Sequence, residues 1–193
     1  MDLAGQSAGT IASGLKSVYG LSANNAATAM KSAGLAAADV ANGLYSAYDT
    51  SAQALTSILK SVYGLTEHDV ARILGNITKR LNLNLITQAF SPSDIVSALH
   101  SVFNLTAQQV ANALEGTAYR EGIGLANAII SEFRLTAKDA AQILEAAGWN
   151  VSQTAIALNS IYGLAQNDVA NLLKSAGYEV DQVAQVLQSY YVL

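Results

Sequence analysis

The chain contains no cysteine, a single proline and few charged residues for its length of 193. Without cysteine it has no disulfides, no thiolate metal sites and no cysteine nucleophiles, and the redox compartment is left open. Charged residues make up 12% of the chain, against roughly 25% in a typical soluble domain. The surface must therefore consist mostly of alanine and neutral polar residues, which repel one another little and permit association.

Basic residues and long apolar runs are also scarce. Ten Lys and Arg stand against 14 Asp and Glu, and no basic run occurs. Because phosphate backbones are bound by clustered cations, nucleic acid is not an expected partner. No apolar run is long enough to predict a membrane span. Residues 1–5 lack the basic and apolar regions of a secretion signal, so such a signal is expected to be missing or already removed.

What the sequence does contain is internal repetition. The segment Leu15–Leu21 recurs unchanged at Leu59–Leu65, and related segments begin at Leu99 and Leu158. A second form, with glycine one place earlier, occurs at Met30–Leu35, Leu144–Trp149 and Leu173–Tyr178.

The first residue of each segment, here called the anchor residue, recurs every 14 or 15 residues, with one step of 11. Two steps form a unit of about 29 residues. The anchor residues are Leu15, Met30, Leu44, Leu59, Leu74, Leu85, Leu99, Leu114, Ile129, Leu144, Leu158, Leu173 and Leu187.

Each step reads as one short helix followed by a tight turn. An apolar residue usually lies four places before the anchor residue and an alanine three places before it, so all three share one helical face. Thr66, Thr106 and Thr136 are predicted to cap helix N-termini. No alternating β-branched run predicts a strand. Helices are predicted to end at Gly20, Gly34, Gly64, Gly148, Gly163 and Gly177.

The 11-residue step from Leu74 to Leu85 is close to three helical turns and contains no turn signal. It predicts one long helix over residues 67–89, crossing Ile77, Leu81 and Leu85, which ends before Pro92. This element would either bend a single array, residues 1–193, or join two sub-arrays, roughly 1–80 and 81–193.

Over its whole length the repeated pattern resembles that of α-solenoid proteins built from two-helix units. The resemblance implies an all-α fold, a right-handed or toroidal solenoid of about 12 short helices in repeats of about 29 residues. Both ends of the sequence align with repeat boundaries and lack a polar capping unit. Since solenoid ends normally need caps, we expect them to stack on other copies or on flanking repeats.

Catalytic chemistry finds no support in the sequence. The two histidines, His68 and His100, fall at positions expected to face solvent, and no His-Glu-x-x-His pattern or phosphate loop is present. The aspartates are predicted to lie in first helical turns, where the helix dipole favours them. We therefore predict no catalytic, cofactor-binding or metal-binding residue, no small-molecule substrate, and no enzyme activity. The aspartates are Asp39, Asp69, Asp94, Asp139, Asp168 and Asp181.

Seven aromatic residues lie four places after an anchor residue. If exposed, they would form a ladder for stacking on sugars, bases or peptide. The favoured interpretation is packing between repeats, with the hydroxyl groups at the rim. These residues are Tyr19, Tyr48, Tyr63, Phe103, Phe133, Tyr162 and Tyr191.

The leading functional hypothesis is a non-catalytic structural or interaction scaffold. It would either self-assemble end to end or form a segment of a larger surface or secreted protein, so a location outside the cell or at its surface is favoured. Its partner would be protein, either another copy or flanking repeats. The alternative is a groove that binds an extended peptide or nucleic acid.

Overall fold

A computed structural model describes residues 7–80, 86–115, 117 and 123–191, with side chains at all of these except 80, 86, 190 and 191. This part of the chain is all-α apart from one short hairpin, and it contains twelve α-helices, the number predicted. The helices belong to two compact units, Met1–Asn104 and Leu105–Leu193. One solenoid array running through both units stays a prediction.

In the first unit, helices pack on the next helix but one. Helix α1 packs against α3, and α4 against α6. The elements are α1 (Ala8–Tyr19), α2 (Ala23–Ser32), α3 (Ala37–Tyr48), α4 (Ala52–Ile58) with a π-helix directly after it (Leu59–Tyr63), α5 (Glu67–Asn76), β1 (Thr78–Arg80), β2 (Ile86–Gln88) and α6 (Pro92–Phe103).

The second unit shows the same preference, since α8 packs against α10 and α9 against α11. Its elements are α7 (Ala107–Ala113), α8 (Ile123–Phe133), α9 (Ala137–Ala146), α10 (Val151–Tyr162), α11 (Gln166–Ala176) and α12 (Val180–Tyr191).

The anchor residues form the centre of the core. Ten of them, from Met30 to Leu173, are at most 1% exposed. Burying an aliphatic side chain of this size contributes about 1.5–3 kcal/mol, so these positions supply much of the driving force for folding. Leu15 and Leu187, the first and the last, are only half-buried, and Leu85 lies outside the described residues.

The predicted helix boundaries are confirmed. The side chains of Thr66, Thr106 and Thr136 each accept a hydrogen bond from the backbone N–H three residues on. All six predicted glycines have a positive φ, which lets them end a helix without the steric cost of a Cβ. Asp49, Asn104 and Arg134 occupy the corresponding place at three further helix ends.

The predicted long helix over 67–89 is wrong. Helix α5 ends at Asn76, Ile77 is extended and buried, and the chain forms an antiparallel pair in which Thr78 lies opposite Gln88. Two pairs of β-branched residues, at 77–78 and 86–87, favour an extended backbone. Hydrogen bonds between the two strands also satisfy the backbone N–H and C=O groups that would otherwise bond within a helix. The predicted helical positions Leu81 and Leu85 lie outside the described residues.

Candidate functional site: the helix ends

The seven predicted aromatic residues occupy equivalent places, because each is the last residue of its helix. Tyr19 is 69% exposed, whereas the side chain of Tyr191 lies outside the described residues. The other five are half-buried: Tyr48, Tyr63, Phe103, Phe133 and Tyr162. Of the six described side chains in this set, only that of Tyr19 is exposed to solvent.

The tyrosine hydroxyls reach back to an earlier helix end. In each case the acceptor is the carbonyl of the first residue after the left-handed residue that ends a helix, two helix ends earlier in the chain. We call this the tyrosine contact. The bonds run from Tyr48 to Leu21 (3.0 Å), Tyr63 to Leu35 (3.0 Å), Tyr162 to Leu135 (2.5 Å) and Tyr178 to Trp149 (2.9 Å).

Tyr178 takes part although it follows the glycine instead of preceding it. Its hydroxyl also lies 2.7 Å from the hydroxyl of the buried Thr154. Sequence reasoning missed this member because it counted aromatic residues only at the fourth place after an anchor. The signal was available, since an aromatic residue also follows Gly148 and Gly177.

Three lysine side chains make contacts in the opposite direction, with a helix end that lies later in the chain. We call this the lysine contact. A lysine directly after an anchor residue donates from Nζ to a backbone carbonyl in the last turn of another helix, which ends two helix ends later in the chain. The same Nζ lies over the ring of the aromatic residue that ends that helix. The hydrogen bonds run from Nζ of Lys16 to Ala47 O (2.8 Å), of Lys31 to Val62 O (2.5 Å) and of Lys60 to Val102 O (2.8 Å). The distances from Nζ to the ring centre are 5.1 Å for Lys16 and Tyr48, 5.4 Å for Lys31 and Tyr63, and 4.7 Å for Lys60 and Phe103.

Two physical effects favour the lysine contact. A helix C-terminus carries unsatisfied carbonyls and partial negative charge, which a cation stabilises. The face of an aromatic ring attracts a cation as well. Sequence reasoning treated the lysines as scattered surface charge and did not predict this role.

Burial affects the pKa of three of these tyrosine hydroxyls. Burial raises the pKa of Tyr48 above its ordinary value of 10.0. Burial, and after it the negative charge of Asp39, raise the pKa of Tyr63. Burial and Asp139 act in the same way on the pKa of Tyr162. The neutral, hydrogen-donating form of each phenol is therefore favoured in the folded protein.

Histidine and acidic residues do not converge in the described part of the chain. His68 is exposed as predicted, but His100 is half-buried in the last turn of α6. Each of the six predicted aspartates lies in the first turn of a helix, which the dipole explains. No group of three or more metal-ligating side chains comes together among the described residues.

An open groove of about 540 Å³ lies between α2 and the π-helix. Its cation, Lys31, already donates to the carbonyl of Val62. The groove therefore offers a ligand neutral polar groups and little charge. It is lined by Asn24, Thr28, Lys31, Ser32, Ser61 and Val62.

Comparison with known proteins gives no relative. No family model, no curated protein and no solved structure matches this chain. Of the helices that the structure describes, none combines the length and the apolar character needed to cross a membrane.

Proposed function

We propose that this chain is a non-catalytic structural scaffold of helical repeats that binds protein, in the first place other copies of itself. The observation that carries the proposal is the use made of the polar groups at the helix ends. Four tyrosine hydroxyls and three lysine ammonium groups join one helix end to another within a unit. These groups hold helices together, and this use of them supports a structural role.

The surface composition supports association. Twelve per cent of the residues are charged and the net charge is −4, so long-range repulsion between copies is small. Large apolar side chains are also exposed at helix ends, including Val18 at 72% and Val180 at 77%. Val18 adjoins Tyr19, which is 69% exposed, so the end of α1 presents two large side chains to a partner.

Size-exclusion chromatography with light scattering tests the proposal. The mean mass is expected to rise with protein concentration in multiples of the 20.1 kDa chain. A mass that stays at 20.1 kDa up to the solubility limit would contradict self-assembly.

A further inference from the structure

Two helix ends present the halves of a contact that is completed elsewhere in the molecule. At the end of α1, Val18 and Tyr19 are 72% and 69% exposed. At the end of α11, Lys174 is exposed. Among the described residues, the side chains of Tyr19 and Lys174 have no hydrogen-bond or ion-pair partner. An aromatic residue and a lysine, each at the place that makes contacts in other helices, are both left open.

The end of α2 and the end of the π-helix show how these halves fit. Lys31 donates to the carbonyl of Val62 at 2.5 Å and lies over the ring of Tyr63 at 5.4 Å. In return, the Tyr63 hydroxyl donates to the carbonyl of Leu35 at 3.0 Å. One lysine contact and one tyrosine contact thus join these two helix ends reciprocally.

The open ends have the same sequences as this internal pair. Residues 15–21, which end α1, are identical to residues 59–65, which end the π-helix. Residues 173–178, which end α11, differ from residues 30–35 only in the first and the last residue. The glycine keeps its place, and both Gly34 and Gly177 have a positive φ.

We propose that two copies of this chain join head to tail, with the end of α1 of one copy seated on the end of α11 of the other. Lys174 donates to the carbonyl of Val18 and lies over the ring of Tyr19, and the Tyr19 hydroxyl donates to the carbonyl of Tyr178. The inference rests on the proposed function and specifies its contact. Because the two surfaces differ, the contact is heterologous and continues from copy to copy.

Cross-linking between single-cysteine variants tests the direction of joining, and the natural absence of cysteine keeps the readout clean. The variants are Val18→Cys and Ser175→Cys, both at exposed positions where folding should be unaffected. Ser175 corresponds in sequence to Ser32, which lines one groove together with Val62, and the change leaves Lys174 in place. Treated with a short bis-maleimide, the two variants mixed together should yield covalent dimers, whereas each variant alone should not. Dimers from one variant alone would indicate a two-fold contact and overturn the proposal.

Association constants of side-chain variants test whether the Tyr19 hydroxyl and the Lys174 ammonium group take part in the contact. Tyr19→Phe should weaken association about fivefold, as expected for the loss of one hydrogen bond. Lys174→Met keeps the apolar stem and removes the cation, and it should weaken association about tenfold. Lys138→Met, a matched change of an exposed lysine in the first turn of α9, should leave association unchanged.

The outcomes separate this inference from the proposed function. If the wild-type mass rises with concentration but the mixed cysteine variants do not cross-link, the copies associate by another surface and only the head-to-tail contact is wrong. If the wild-type chain stays monomeric at every concentration, self-assembly itself is wrong. Equal losses in Lys174→Met and Lys138→Met would also overturn the contact, because they would trace the effect to general charge.

Discussion

The tyrosine hydroxyl is the residue-scale device that recurs in both units. Its partner is always a backbone carbonyl directly after a left-handed residue, where the helical hydrogen-bond pattern has just ended. Carbonyls at helix ends lack intrahelical donors, so a donor from another helix replaces water there. A single hydroxyl thereby fixes the distance between two helix ends.

Tyr63→Phe isolates one such bond. The change removes only the hydroxyl that donates to Leu35, and the free energy of unfolding is expected to fall by about 0.5–1.5 kcal/mol. Urea denaturation followed by circular dichroism measures it. Tyr19→Phe is the matched control, since Tyr19 has no such partner among the described residues, and it should leave the stability of the dilute protein unchanged. Equal effects of the two changes would show that the bond to Leu35 contributes nothing.

Alkaline pH tests the burial of three of these hydroxyls together. The pKa values of Tyr48, Tyr63 and Tyr162 are raised in the folded protein, mainly by burial. The stability tied to these raised values is fully present below the unfolded pKa, near 10, and is lost as pH rises through the folded pKa. Urea midpoints should therefore fall steeply above pH 10.

A triple Tyr→Phe variant at positions 48, 63 and 162 is the control for that experiment. It should show a lower midpoint at neutral pH and a shallower fall above pH 10. A fall as steep as in the wild type would assign the alkaline loss of stability to other groups.

At the scale of the element, the close approach of α1 and α3 depends on a glycine. A Cβ added at Gly43 of α3 would lie 2.6 Å from the carbonyl oxygen of Ala8, inside any real Cβ contact. Gly14, in α1 itself, has no atom within 4 Å of the same hypothetical Cβ. Two glycines in packed helices thus have opposite expected responses to the same substitution.

Gly43→Ala should lower the free energy of unfolding by about 1–3 kcal/mol, because the helices must move apart to relieve the overlap. Gly14→Ala should raise it by about 0.5–1 kcal/mol, because alanine loses less conformational freedom than glycine in a helix. Thermal unfolding of both variants beside the wild type measures the difference. Stabilisation by both changes would contradict the close approach of α3 to Ala8 of α1.

The sequence predicts helices well here because their start and stop signals are local. Thr66 caps a helix through its own neighbours, and Gly64 ends one through its own φ. The prediction for residues 77–88 was wrong because an 11-residue spacing of apolar residues is compatible with a helix and with other structures. The hairpin that forms instead depends on pairing between residues distant in the chain, such as Thr78 and Gln88. Pairing at a distance leaves a weaker trace in the sequence than capping does.

The candidate site was predicted in part for the same reason. Periodicity places Tyr63 at a helix end, which needs only local spacing. The bond from Tyr63 to Leu35 and the bond from Lys31 to Val62 depend on how helices stack, so local spacing predicts where the tyrosine lies but not the partner of either residue.

At the scale of the whole molecule, low charge is the feature that bears on the proposed association between copies. The side chains of Arg72 and Asp69 form an ion pair although they are 61% and 40% exposed. Exposed pairs of this kind contribute about 0–1 kcal/mol. Association between copies should therefore depend on apolar contact and on hydrogen bonds to helix ends, with net charge acting only as a weak repulsion.

Lowering the pH from 8 toward the isoelectric point of about 5.0 should strengthen association, because the net charge approaches zero. Light scattering at one fixed protein concentration measures the mean mass. Added salt at pH 8 screens the same repulsion and should raise the mass as well. A smaller mass in either condition would indicate that ion pairs between copies hold the assembly.

The acceptor of every tyrosine contact is a main-chain oxygen, and this has a consequence for how such a chain can change by mutation. A leucine accepts at residues 21, 35 and 135, and a tryptophan accepts at 149. The accepting side can thus drift in side chain without losing the bond, and only the donor and the left-handed residue are constrained. If a segment were duplicated, its tyrosine would find a main-chain acceptor in the neighbouring copy without any further substitution.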